Sequence, residues 1–161
     1  MIVIGVDPGT ARTGYGIVKR QGSRIIRLGS GEIKTKADQP IEQKLLVIHN
    51  NLEEVLTIYG PATAAVEDVF FAKNARSALK LGHVRGVILL TLAKRNLAVA
   101  SYPPAFVKRA VVGAGRAAKD QVRRVVQAIL SLETLPGEDE ADALAVAICH
   151  ANAPQPGHLK P

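Results

Sequence analysis

Residues 2–18 read IVIGVDPGTARTGYGIV. An apolar run reaches a single acid, Asp7, and breaks at once into a Pro-Gly turn. A strand apolar on both faces belongs inside a sheet that is covered on both sides. The rest of the chain decides what a carboxylate does at the mouth of such a strand.

Working outward, residues 13–19 and 25–34 read as two more strands, with Gln21-Gly22-Ser23 as a hairpin turn between them. Pro40 opens a helix whose apolar positions Ile41, Leu45, Ile48, Leu52 and Val55 step by three and four; Gly60-Pro61 ends it. Residues 63–66 form a short buried strand that stops at Glu67-Asp68. Residues 75–95 form a long helix with two apolar sides, Leu79, Val87 and Leu90 on one and Leu81, Val84, Ile88 and Leu92 towards the other. Gly82 and Gly86, four apart, would let another backbone approach. Such a helix needs two partners, its own sheet and either more of its own chain or a second subunit. Residues 97–100 are a strand, Pro103-Pro104 start a short helix, and 121–132 and 138–152 are the last two helices. Residues 121–132 turn Val122, Val125, Val126, Ile129 and Leu130 to one face, with Lys119, Arg123, Arg124 and Gln127 marking the other. The order predicts an α/β fold, a five-stranded mixed sheet flanked by helices on both faces. One domain covers 1–152, and the Pro-rich 153–161 is expected to be a disordered tail.

The totals narrow the partner. A net charge of +7 favours a polyanion. One cysteine, Cys149, leaves no internal disulfide or thiolate zinc cluster. The apolar run 86–93 is too short to span a bilayer, and Met1 leads straight into a strand, so a cytoplasmic protein without membrane contact is expected.

Three groups of acids stand apart from the helix surfaces. Asp7 and Glu67 each end a strand; Asp139 and Asp142 share a face at the start of the last helix. If the first and fourth strands are parallel neighbours, Asp7 and Glu67 emerge at one edge, and the helix completes a four-carboxylate cup. Four close anions raise one another's pKa, and two divalent cations would cancel the charge. Oxygen-only donors suit Mg²⁺, with Mn²⁺ able to substitute, and two such ions can hydrolyse a phosphodiester. Spacing alone leaves Glu138 as an alternative to Asp139, since it lies four before Asp142. The other meaning of D-x-G-T is the phosphate loop of an actin-like or sugar-kinase-like ATPase. That fold needs two lobes with one such loop each, and 161 residues with one loop do not provide them.

With these residues in hand, the chain resembles the RuvC family of bacterial Holliday junction resolvases, within the ribonuclease H-like superfamily. GVDPGTARTGYGIV (5–18), AAVEDVFFAKNARSALKLGHVRG (64–86), VKRAVVGAGRAAKDQV (107–122) and DEADALAVAICH (139–150) match its motifs in order. The resemblance implies Asp7, Glu67, Asp139 and Asp142 as catalytic, metal-binding acids, which selects Asp139 over Glu138. It implies a homodimer packed through the helix 75–95, acting on four-way junction DNA to leave 5′-phosphate and 3′-hydroxyl ends, with branch-migration motor proteins as partners. Lys108 and Lys119 fall where the family carries basic residues and would bind backbone phosphate; Lys119 also counts as catalytic, stabilising transition-state charge. Phe70 matches a family aromatic near the junction centre, with Phe71 in the core. Lys73, Arg76, Lys80, Arg116 and Arg123 complete the expected DNA contacts. Asp68 stands where an amide is common and adds a negative charge beside the site. Two further classes stay in play: a ribonuclease H-like nuclease for RNA–DNA hybrids or flaps, and a non-catalytic junction-binding module.

Overall fold

The computed structural model describes residues 1–68 and 74–153. Its strands are β1 (Ile2–Asp7), β2 (Arg12–Gln21), β3 (Arg24–Lys34), β4 (Thr63–Glu67) and β5 (Ala98–Tyr102). Its helices are α1 (Ile41–Tyr59), α2 (Ala75–Lys94), α3 (Pro104–Val112), α4 (Lys119–Leu130) and α5 (Glu138–Asn152). The sheet order is β3-β2-β1-β4-β5. β1 pairs antiparallel with β2 and parallel with β4; β2 and β3 are antiparallel, β4 and β5 parallel. The expected mixed sheet is therefore present, with β1 at its centre.

Two apolar layers sandwich it. Ile4, Val6 and Ile17 point to one side and meet Ile48 and Leu52 of α1 and Val84, Ile88 and Leu92 of α2. Val3, Val18 and Ala65 point to the other and meet Val122 and Val126 of α4 and Leu144 to Cys149 of α5. Each fully buried Leu, Ile or Val contributes about 1.5–3 kcal/mol. The alternation along β1 is what covers both faces.

α5 lies unusually close to the sheet. A Cβ on Gly5 would overlap the Ala143 carbonyl and the Ala147 amide. One on Gly14 would overlap the Asp139 carbonyl, and one on Gly16 would sit 2.9 Å from Leu144 Cα. Three glycines on one face of β1 and β2 thus form a trench, and the alanine-rich α5 lies in it. This contact sets the height of Asp139 and Asp142 above the sheet.

Several boundaries differ from the sequence reading; β2, read as 13–19, runs Arg12–Gln21. α4 runs 119–130 rather than 121–132: it begins after Ala118 without a side-chain cap, and Ser131 stops it in the left-handed region at φ 51. β5 continues to Tyr102 because Tyr102 pairs with Glu67. Ile129, expected on the apolar face of α4, is exposed. The expected tail lies almost entirely outside the described residues.

Candidate active site

Three elements bring the four acids to one edge. The register Val6↔Val66 sets Asp7 beside Glu67 at the carboxyl ends of two adjacent parallel strands. Asp7 faces Gly14 across β2, and Gly14 lies directly under Asp139. The loop after Asp7 is held by Thr13, a fully buried hydroxyl that donates to the Gly9 carbonyl at 2.9 Å.

The start of α5 divides its acids by task. Glu140 accepts from the Gly137 amide at 3.2 Å, closing the cap, and from Ser30 Oγ of β3 at 2.6 Å. Glu138 pairs with Lys119 Nζ at 3.5 Å. Asp139 and Asp142 are the two whose charges act on Asp7. Glu138 acts on Asp142 and Lys119 instead.

The electrostatics follow from crowding. Burial, then Glu67 and Asp142, push Asp7 up to about 9. Burial pushes Glu67 up to about 7, opposed by the hydrogen bond from Asp7 and by Lys108 and Lys119. Both carboxyls are thus pushed above the ordinary carboxylate range, and the pair titrates as a unit. Burial raises Asp142 as well, with Lys119 opposing. For Lys119 burial works against the ammonium, but Glu138 and Asp142 outweigh it and its pKa rises.

Donors of this kind fit hard divalent cations: all are carboxylate oxygens, and a resident positive charge would replace the proton that Asp7 retains. Among the described residues no three carboxylates stand gathered at ligand spacing.

The basic residues fall into groups. Lys108, half-buried on α3, and Lys119, exposed at the start of α4, both act on Glu67 and Asp142. Arg76 and Lys80 are exposed on the first turns of α2, and Arg116 is exposed ahead of α4. Arg123 is engaged in the fold, with Nε donating to the Pro136 carbonyl at 2.9 Å and a second bond to Asp120. Phe70, Phe71 and Lys73 lie outside the described residues. Asp68 does not stand as a free negative charge: Arg85 of α2 donates to it at 2.7 Å and to Ser101 Oγ at 2.7 Å. Sequence reasoning missed this partner, seventeen residues away, because nothing local marks it. It also gave His150 no role. His150 Nε2 lies 3.0 Å from Thr63 Oγ1 and Nδ1 lies 2.8 Å from Tyr102 OH, tying α5 to β4 and β5.

Two shallow concavities among the described residues lie elsewhere, between Ser23–Arg27 and the residues around 129–136, and none of Asp7, Glu67, Asp139 and Asp142 lines either. No helix among the described residues is long and apolar enough to cross a membrane.

Comparison with known proteins agrees over nearly the whole chain. The family described as "Crossover junction endodeoxyribonuclease RuvC" matches residues 3–150. A protein of that name from Syntrophotalea carbinolica is 49% identical over 152 residues, covering 94% of each chain. Another from Citrifermentans bemidjiense is 47% identical over 153 residues, covering 95% of this chain and 93% of that one. Among solved structures, RuvC of T. thermophilus in complex with Holliday junction substrate superposes with a TM-score of 0.88 at 36% identity, covering 94% of this chain and 93% of that one.

Proposed function

This chain belongs to the crossover junction endodeoxyribonuclease RuvC family, and from that premise we propose that Asp7, Glu67, Asp139 and Asp142 are its catalytic centre for cutting four-way DNA junctions. The observation that carries the reading is the convergence at one sheet edge of acids from three distant segments, beside Lys108 and Lys119. A non-catalytic binding module would need the cations but not four mutually repelling carboxylates.

The four acids would hold divalent metal, which when bound supplies a polarised phosphate and a water of lowered pKa. Oxygen ligands accept Mg²⁺ and Mn²⁺ alike, and Mg²⁺ is the ion we assign. The residues do the rest. Asp7, at the floor beside Glu67, would be one of the groups that hold the ion. Lys119, paired with Glu138 and acting on Asp142, would hold a non-bridging phosphate oxygen as charge develops on it. Lys108 assists from α3.

A dimer through α2 completes the reading. Val84, Ile88 and Leu92 are buried against the sheet. On the other side Leu79 and Leu90 are 63% and 60% exposed, and the space over Gly82 and Gly86 is open. A second α2 packed there gives a two-fold enzyme for a two-fold substrate, hence paired nicks; the family resemblance implies 5′-phosphate and 3′-hydroxyl ends. Branch-migration motors and a cytoplasmic setting accompany this reading.

The test compares substrates. Purified protein with Mg²⁺ should nick a four-way junction far faster than plain duplex or RNA–DNA hybrid. Equal cutting of all three would remove the junction assignment and favour a general ribonuclease H-like nuclease.

A further inference from the structure

The β2–β3 corner carries cations that the carboxylate site does not use. Arg12 opens β2 and Lys34 closes β3, and the two face each other in register. Side chains two apart on a strand share a face. Arg12 therefore lies on the same face as Gly14, under Asp139, and Lys34 lies on that face of the neighbouring strand. Lys36 follows, also exposed. Asp7, Arg12 and Lys34 thus share the α5 side of the sheet, with the backbones of the two cations roughly 8–12 Å from that of Asp7 by strand spacing and rise.

The mount is rigid. Gly9 is pressed so closely on the Arg12 carbonyl that no Cβ fits between them. Thr35 donates its amide to the Ala11 carbonyl at 3.0 Å and its hydroxyl to the Thr10 carbonyl at 2.6 Å. Arg12 and Lys34 are accordingly held to the same loop that holds Asp7. Their charges are under-compensated. Both reach a single acid, Glu32, at 3.8 and 3.9 Å, while 59% and 68% exposed. Pairs this long and wet are weak and exchange readily for a better anion. Lys36 adds a third cation, and Asp38 is the other nearby acid in the loop.

We propose that Arg12, Lys34 and Lys36 form a second phosphate-binding ridge, gripping the DNA backbone of one junction arm on the side of the carboxylates away from Lys108 and Lys119. The proposal rests on the DNA-cutting reading of the site and extends it. Lys108 and Lys119 hold the strand from α3 and α4, and the ridge holds it a few nucleotides further on, at about 3.4 Å of rise each. The strand is then fixed on both sides of the bond to be cut. A bound phosphate displaces Glu32 as partner; the ridge reads charge and not sequence.

The test is the salt dependence of binding without added metal, for the full chain on a four-way junction and on a duplex of equal arm length. Each phosphate contact contributes about 0.9 to the slope of log K against log salt. Arg12→Gln with Lys34→Gln should lower the slope by about 2 and weaken binding about ten- to hundredfold near 0.1 M salt. Arg12→Lys with Lys34→Arg should keep the slope. An unchanged slope and affinity in the double Gln variant would overturn the ridge. If the wild type binds duplex and junction alike, the junction reading is in trouble, while a lowered slope on either DNA still supports the ridge. A second measurement needs no variant: DNA should protect Lys34 and Lys36 of the native protein from acylation, and equal labelling with and without DNA would refute the contact.

Discussion

Replacing Asp7 by Asn should stabilise the metal-free protein. Asp7 is pushed up to about 9 from an ordinary 3.8, first by burial and then by Glu67 and Asp142. The sign follows from proton binding. Below pH 3.8 the carboxyl is protonated folded or unfolded, and nothing is lost. As pH rises from 3.8 towards 9 the unfolded chain releases its proton while the folded one keeps it, so stability falls throughout that window. Each pH unit costs about 1.4 kcal/mol, which reaches about 4 kcal/mol at pH 7. An Asn side chain escapes this cost, since its amide can still donate to Glu67 and carries no titrating proton. For a chain of this size that is a gain of about 8–16 °C in melting temperature. The assay is thermal unfolding of wild type and Asp7→Asn in EDTA at pH 5 and 7.5. Asp7→Asn should melt higher, by more at pH 7.5 than at pH 5, and Mg²⁺ should stabilise the wild type more than the variant. A variant that melts lower at pH 7.5, or an advantage independent of pH, would refute the crowded-carboxylate reasoning.

Three further outcomes are expected. Gly14→Ala forces a methyl into the Asp139 carbonyl and should cost about 3 kcal/mol with loss of cleavage, read by denaturant unfolding and nicking together. Arg85→Gln leaves the Asp68 carboxylate half-buried without its partner and should cost about 1–2 kcal/mol, whereas Asp68→Asn keeps an acceptor for Arg85 and should cost less than about 1; adding Asp68→Asn to Arg85→Gln should recover most of the loss in a double-mutant cycle. Leu79→Glu with Leu90→Glu places charge on the exposed stripe of α2 and should yield a monomer by sedimentation, still folded and unable to make paired nicks.

Legibility in the sequence tracked how local each cause is. β1 was readable because six consecutive residues and a Pro-Gly break define it. α5 was readable to the residue because acids open it and an apolar run fills it. The four acids were visible because strand ends and a helix start are local signals, and family resemblance supplied Asp139 where spacing did not. What stayed hidden involves distant partners. Gly5, Gly14 and Gly16 look like ordinary strand glycines until α5, well over a hundred residues later, lies on them. Asp68 looked like an extra charge until Arg85 was found beside it. The ends of α4 were misplaced because Ala118 offers no side-chain cap and Ser131 takes a left-handed conformation that its type does not announce. Arg123 looked like a surface cation, and the turn at Pro136 engages it.

Asp7→Asn and wild type, assayed side by side for junction binding and junction cleavage in Mg²⁺, test most directly whether the four-carboxylate edge is a catalytic centre. Cleavage should fall more than a thousandfold while the junction Kd stays within a few-fold. A variant that still cuts, or one that loses binding and cleavage together, would contradict a centre in which Asp7 serves chemistry and the surrounding cations hold the DNA.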